Sequence, residues 1–492
     1  MMYRGRTVLA YVLLAMLVSV VVTVMLIGPS GIYRDRFIAA GDARGGAGSD
    51  SSAAARARGL SAEDMHKLNV TYDLIDRRFM DQIEPEKLVD GAIQGMLAAL
   101  NDPYTSFMNP EETDHFTQSV DAYFTGIGAE VSLDNGNIIV VSPIKGSPAE
   151  KVGLRARDLI LSVNGESLSG LSLTDAVNKI RGPKGTQAKL QIKREGFENP
   201  IELIVVRDEI DLETVFSEMV GDGIGKIEIR QFSVHTVESF NSQLEGLEEQ
   251  GMKALLIDVR NNPGGYLEGV AQILYSLIPE GKLLLMSEDR QGERESIVSQ
   301  GPGRTYPIAV LINGGSASAS EILAAAVRQS GNGVLIGENT YGKGTIQSQF
   351  TEPYGDGSLL KLTIAKWLTP NGSWVHETGI EPDVEVKQPD YFYVTLIPRD
   401  KVLKQGEMSN DVKNMQIMLD GLGFKPDRTD GYFSEQTTEA LQQFQQQVKI
   451  EPTGELDAAT IEQLERSVIE LLVKPENDVQ LQTGLEVLKS KL

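Results

Sequence analysis

"PIAVLINGGSASASEILAAAVRQSG", residues 307 to 331, reads as a strand, a two-glycine turn and a helix in immediate succession. "PIAVLIN" is a short apolar run of strand length, and "SEILAAAVRQSG" is alanine-rich and long enough for a helix. Units of the same kind surround it. "GIGKIEIRQF", "ALLIDVR" and "KLLLMSE" read as strands, "HTVESFNSQLEGLEEQG" and "LEGVAQILYSLIP" as helices. This alternation across residues 211–400 predicts a layered β-α core with helices over the sheet faces.

Upstream, the pattern changes twice. Residues 61–124 carry helical periodicity, opening with Ser61 and an acid three positions on, close to a capping box. "NDPYTSFMNPEE" (101–112) reads as a turn, with a helix start after Pro110. Residues 125–210 hold short strands punctuated by "DNGN" and "VNG" turns, with helices at "GSPAEKVG" and "SLTDAVNKIRG". If the 61–124 segment packs on the core, this β-rich unit is an insertion. Downstream, residues 407–468 form a separate all-helical piece. The tail, 469–492, is either one more helix or a frayed end.

The first forty residues differ in kind. Arg4 and Arg6 precede an uncharged run from Val8 to Ile27, twenty residues that would reach about 30 Å as a helix. A retained transmembrane anchor is preferred over a cleaved signal, with the bulk of the chain outside the membrane. Residues 41–60 then read as a flexible linker.

Composition removes several classes of function. The 492 residues carry 46 Lys and Arg against 69 Asp and Glu, a net charge of −23, so nucleic acid is repelled. There is no cysteine, which excludes disulfides and thiolate chemistry. The four histidines form no close-spaced pair, which leaves a zinc site unsupported. No glycosidase carboxylate pair or amidase zinc site stands out, which disfavours peptidoglycan hydrolysis.

Three segments of the core carry chemistry-bearing residues. In "NGGSASASEILAAAV" a serine sits at a helix start, where free amides and the helix dipole favour developing negative charge. The bland reading is a small-residue contact between strand and helix. A serine needs a base, and no histidine motif supplies one. "ENTYGKGTIQSQF" (338–350) offers Lys343, which serves only if its pKa falls by about 3 units through desolvation or a positive neighbour. Gln347, four residues on, supplies an acceptor without adding charge. "LIDVRNNPGGYLEGV" (256–270) delivers Asp258 and Arg260 into a turn whose Gly264 and Gly265 leave the backbone bare.

Together, "DVRNNPGG", "NGGSASASEIL" and "YGKGTIQ" resemble the C-terminal processing peptidases, tail-specific serine proteases with a Ser–Lys dyad. The resemblance implies Ser318 as nucleophile, Lys343 as base and Gln347 as the residue that orients it. It implies the backbone amides of Gly264 and Ala319 as oxyanion donors, and Glu321 as a support of site geometry. "FTGIGAEVSLDNGNIIVVSPIKGSPAEKVGLRARDLILSVNGES" resembles a PDZ domain. Ile127, Gly128, Ala129, Glu130 and Val131 are then the candidate peptide site. The usual Gly-Asp before one strand is Arg157-Asp158 here. Arg181 is a candidate for coupling this domain to the core, or a solvated helix end. Residues 410–464 resemble a small helical peptidoglycan-binding domain, with Asp457 expected to cap its last helix and Ser434 where glycine is common.

The resulting expectation is a multidomain α/β protein, with a β-α layered protease core, an inserted PDZ domain and a small all-α C-terminal domain. It is a serine endopeptidase that captures C-terminal ends of proteins and needs no metal or cofactor. It is placed on the outer face of a bacterial cytoplasmic membrane, in envelope protein processing or in signalling such as that of sporulation. Peptidoglycan is a further expected partner, and self-association is expected of a regulated protease. The alternative is a catalytically silent PDZ and wall-binding adaptor.

Overall fold

A computed structural model describes residues 23–24 and 59–492, apart from positions 135, 195, 198 and 222. The core is built on a six-stranded sheet. Its order is Val215–Met219, Ile224–Ile229, Ala254–Asp258, Ile308–Ile312, Val334–Gly337 and Val384–Glu385. The first pair is antiparallel and the rest are parallel. The two central strands are buried at every position, because both faces of a parallel sheet are covered.

Side-chain alternation divides these strands between two cores. Leu255, Ile257, Ile308, Val310 and Ile312 face the helices Thr236–Glu249, Leu267–Leu277 and Ala319–Gln329. Ala254, Leu256, Ala309 and Leu311 face the other way, against Leu481 and Leu488. These two leucines belong to the helix Val479–Lys489. The tail that sequence leaves open is therefore a helix, and it closes the second face of the sheet. Spacing of Leu481, Gly484 and Leu488 puts all three on one stripe. Gly484 lets the helix approach closely, since a Cβ there would stand 3.0 Å from Leu256 Cδ1. Burying each leucine contributes about 2 kcal/mol.

A second six-stranded sheet carries Thr345–Phe350, Leu359–Leu368, Leu283–Asp289 and Arg294–Val298. Ser106–Met108 joins it by pairing with Leu359–Leu368. The helices Ala62–Arg78 and Pro85–Ala98 bury no residue fully. It is the segment after them that enters the core.

Between the two sheets' segments lies the β-rich unit. Its strands run Ala129–Asp134, Asn137–Pro143, Leu159–Val163, Gln187–Lys193 and Ile201–Val206 in sheet order. The chain enters through Tyr123–Gly126 and leaves through Asp208–Asp211, which pair antiparallel. The unit is thus an insertion with a core of its own. Arg157 takes φ 69° itself, so the turn does without glycine. Asp158, buried beside it, is held by Arg194 at 2.7 Å. The helices Asn410–Gly421, Glu435–Gln447 and Ala458–Leu472 pack around a third core, and Asp457 caps the last of them through Thr460 N.

The membrane expectation is corrected. Among the described residues no helix is long and apolar enough to cross a membrane. A helical span needs about 20 consecutive residues whose backbone bonds close within the segment. Inside the apolar run, Thr23–Val24 instead form a strand paired in parallel with Gln347–Ser348. The rest of the proposed anchor lies outside the described residues. The single-pass membrane location and the membrane as partner fall with it.

Candidate active site

The three serines of "NGGSASASEI" separate by their hydrogen bonds. Ser316 Oγ donates to Val259 O at 2.8 Å and accepts from Asn313 N at 3.0 Å. Ser320 Oγ donates to Asn262 O at 2.9 Å. Both stitch this loop to the 259–262 turn. Ser318 Oγ is buried and has no hydrogen-bond partner among the described residues. Ser318 also holds φ 59° and ψ −109°, a conformation that costs energy for a residue with a Cβ and persists only where surroundings impose it. The helix Ala319–Gln329 begins immediately after it.

Glu321 is what imposes it. Its carboxylate is wholly buried and accepts from Ser318 N at 2.7 Å, Thr340 Oγ1 at 2.6 Å, Gly342 N at 2.8 Å and Lys343 N at 2.8 Å. One carboxylate therefore ties the serine loop to the lysine loop. Burial raises its pKa, against these four hydrogen bonds.

Lys343 is 2 % exposed. Its Nζ donates to Gln347 Oε1 at 2.7 Å. Burial, followed by the repulsion of Lys361, pushes its pKa well below the ordinary lysine value, with Glu321 and Asp102 opposing. Lys361 is a second buried lysine, brought down to about 8 by burial. It supplies the positive neighbour that the neutral-lysine argument asks for. Gln347 Nε2 donates to Thr345 Oγ1 at 2.9 Å and Thr363 Oγ1 at 3.0 Å, which fixes its amide so that oxygen faces the lysine. Lys343 and Gln347 are thus brought into contact, whereas Ser318 Oγ and Lys343 Nζ are not hydrogen-bonded in this state.

Gly264 lies against the serine. A Cβ on it would stand 3.1 Å from Ser318 Cβ and 3.2 Å from Ala319 N, at a φ of 110°. Only glycine fits. Its amide donates to Asn262 Oδ1 at 2.8 Å, so an oxyanion role requires that bond to be shared or released. The Ala319 amide lies at the helix N-terminus, where the dipole adds to it.

The turn that carries Gly264 is braced from the far end of the chain. Arg260 donates to Asp258 at 2.6 Å and to Asp478 at 2.8 Å, and its Nη1 to Gln480 Oε1 at 3.1 Å. Burial alone would lower the Arg260 pKa, but the two aspartates raise it. Asp478 caps the C-terminal helix through Leu481 N. Sequence reasoning missed this contact, because nothing local to residues 478–480 points to a partner more than two hundred positions upstream. It missed Asp102, Tyr104, Thr105, Lys361 and Thr363 for the same reason.

In the inserted unit, Ala129–Asp134 is the terminal strand of its sheet. Gly128 turns at φ 75°, with its carbonyl held by Ser147 Oγ at 2.8 Å, and Ile127 is buried. Ala129, Glu130 and Val131 pair with 140–143 along one edge, which leaves the other edge of the strand beside the helix Leu173–Ile180. Arg181, just past that helix, lies over the Phe124 ring at 5.1 Å, on the strand through which the chain enters the insertion.

Known sequences match this arrangement segment by segment. The profile of Peptidase family S41 matches residues 223–386. That of the activating protease CtpB N-terminal domain matches 25–113, a PDZ domain 139–194 and a peptidoglycan binding domain 408–464. The carboxy-terminal processing protease CtpB of Bacillus subtilis (strain 168) is 44 % identical, over 86 % of this chain and 89 % of its own. The chain belongs to the carboxy-terminal processing protease family. CtpA of the same organism is 41 % identical over 87 % and 90 % of the two chains. A CtpA-like serine protease of Staphylococcus epidermidis (strain ATCC 12228 / FDA PCI 1200) is 35 % identical over 84 % of each. As a member of this family, the chain is a serine endopeptidase with a PDZ module that recognises C-terminal substrate ends.

Proposed function

We propose that Ser318 is the nucleophile of this endopeptidase, with Lys343 as its base and Gln347 as the group that orients the base. The observation that carries this reading is the burial of Lys343 with a neutral amide, not a carboxylate, as its hydrogen-bond acceptor. A carboxylate would hold the amine as ammonium; an amide leaves it able to take a proton. Ser318 Oγ attacks the scissile carbonyl carbon as its proton passes to Lys343. The tetrahedral oxyanion lies at the Ala319 amide, with Gly264 alongside. Collapse expels the amine, which takes the proton back from Lys343 and leaves an acyl-serine. Water then attacks, its proton passing to Lys343 and returning to Ser318 as the acid product leaves.

The captured C-terminus lies along the open edge of Ala129–Asp134, its carboxylate at the 127–131 amides, with Arg181 relaying occupancy to the core. The helical piece at 407–468 binds peptidoglycan in this proposal, which co-sedimentation with purified sacculi tests. For the chemistry, the test is cleavage of a disordered protein with an apolar C-terminus by the parent chain, Ser318→Ala and Lys343→Ala, with and without chelator. Cleavage by the parent alone, unaffected by chelator, is expected. Equal cleavage by all three would discard the dyad. A Ser318→Ala chain that performs every role of the parent would instead favour the adaptor.

A further inference from the structure

The base of the proposed site is covered by a part of the chain that none of its three motifs contains. Tyr104 comes from the turn before Ser106–Met108, and the centre of its ring lies 4.9 Å from Lys343 Nζ. His376 stands edge-on to the same ring at 6.2 Å, and Trp374 stacks on His376 at 5.0 Å. Trp374 Nε1 donates to Gly344 O at 2.8 Å, on the lysine loop itself. Three aromatic rings thus roof the segment 342–344.

The turn that delivers Tyr104 is pinned at each step. Asp102 accepts from Tyr104 N at 3.0 Å and from Thr105 Oγ1 at 2.6 Å. Thr105 Oγ1 in turn accepts from Thr363 N at 3.1 Å. Thr363 Oγ1 holds the Gln347 amide, and Gln347 holds the amine. A linked path therefore connects the roof to the acceptor that aims Lys343.

We propose that Tyr104 is a positioning residue of this active site, its ring excluding water from Lys343 Nζ and holding the amine against Gln347. The inference rests on Lys343 being the base. An ammonium carries three donors and, among the described residues, Nζ has one hydrogen-bond acceptor, so with water excluded the charged form is left short of partners. The ring face attracts an ammonium, which works the other way. Exclusion of water is the larger effect in this proposal, because Lys343 is only 2 % exposed. The other charged or titratable groups around the amine are Glu321 from the helix, Lys361 from the neighbouring strand, Asp102 from the turn, and Tyr341 and His376 around the roof. Of these, Tyr341 is hydrogen-bonded to the Tyr104 hydroxyl, so Tyr104→Phe removes that bond while keeping the ring over the amine.

The test uses the full chain and a fluorophosphonate, which needs no knowledge of the substrate. Ser318 Oγ bonds to phosphorus, fluoride leaves with its bonding pair, and the serine proton goes to Lys343. The second-order rate is followed from acid to alkaline pH. In the parent the rate falls on acidification as the lysine charges. Tyr104→Ala is expected to move that limb up by about one pH unit, slowing the reaction about tenfold on the limb. Tyr104→Leu, which keeps apolar bulk and guards against a folding defect, shifts it less. Tyr104→Phe keeps the ring and stays on the parent curve. A limb that does not move in Tyr104→Ala or Tyr104→Leu, or that moves to lower pH, overturns the inference; so does a uniform loss of rate at every pH. Failure of the underlying dyad looks different: Lys343→Ala would then react as fast as the parent, and the parent would show no acid limb.

Discussion

Two of the regions that bury glutamine completely put it to different uses. In the small helical piece, Gln416 donates to Tyr432 O and Thr437 Oγ1 and accepts from Gly431 N. Gln445 repeats the scheme with Glu455 O, Thr453 Oγ1, Thr460 Oγ1 and Gly454 N. Each joins a helix to a glycine turn and to a hydroxyl near the start of the next helix, and every polar atom of the side chain is satisfied. In the active site, Gln347 is equally buried and equally satisfied, by Thr345, Thr363 and Lys343, but its acceptor bond goes to a lysine that, among the described residues, lacks a full set of partners, beside a serine hydroxyl with none. Satisfied buried groups hold a fold together, whereas unsatisfied ones store reactivity at a cost in stability.

Ser318→Ala breaks the comparison most sharply. It is expected to lower turnover by at least about a thousandfold while leaving the melting temperature unchanged or higher. Lys343→Met should match that loss and raise stability by about 1–3 kcal/mol, read by chemical denaturation, because a buried amine is replaced by an apolar chain. The sign follows from linkage. Lys343 has a lowered pKa in the fold, so below the ordinary lysine value the unfolded chain binds more protons, and acidification weakens the parent but not the variant. A less stable Lys343→Met would contradict this account.

Gln347→Ala keeps both reacting groups and loosens one, so about a hundredfold loss of turnover is expected. On the other side, Gln416→Leu should cost about 2–3 kcal/mol by stranding Gly431 N and Tyr432 O. Its turnover on a free peptide should stay at the parent level. Asp478→Asn is the mildest, at about 1–2 kcal/mol, since Arg260 keeps Asp258. It also tests whether the C-terminal helix steadies the Gly264 turn, which would appear as a reduced kcat with unchanged KM.

The active-site side of the comparison was half legible in the sequence. Ser318 and Lys343 stand in short motifs on turns, with Gln347 in the strand that follows, and the strand, turn and helix around Ser318 follow from periodicity. Choosing among Ser316, Ser318 and Ser320 rested on family resemblance, and only their hydrogen bonds separate them physically. Thr23–Val24 show the opposite error, since hydropathy alone says nothing of whether two such residues close their backbone bonds in a helix or lend them to a sheet. In the helical piece, caps such as Asp457 were legible because a cap is a contact three residues long.

What the sequence by itself determined, then, was what spacing carries: the β-α alternation, the short strands of the 125–210 unit and the helical piece, while the three proposed catalytic segments rested on resemblance. Tertiary structure alone decided which distant groups complete them. The C-terminal helix covers the second face of the sheet, Asp478 braces Arg260, and Tyr104 roofs Lys343. Such contacts join positions hundreds of residues apart, and their stability comes from burial and hydrogen-bond completion after the chain has closed. No local pattern encodes those quantities, so no local pattern reveals them.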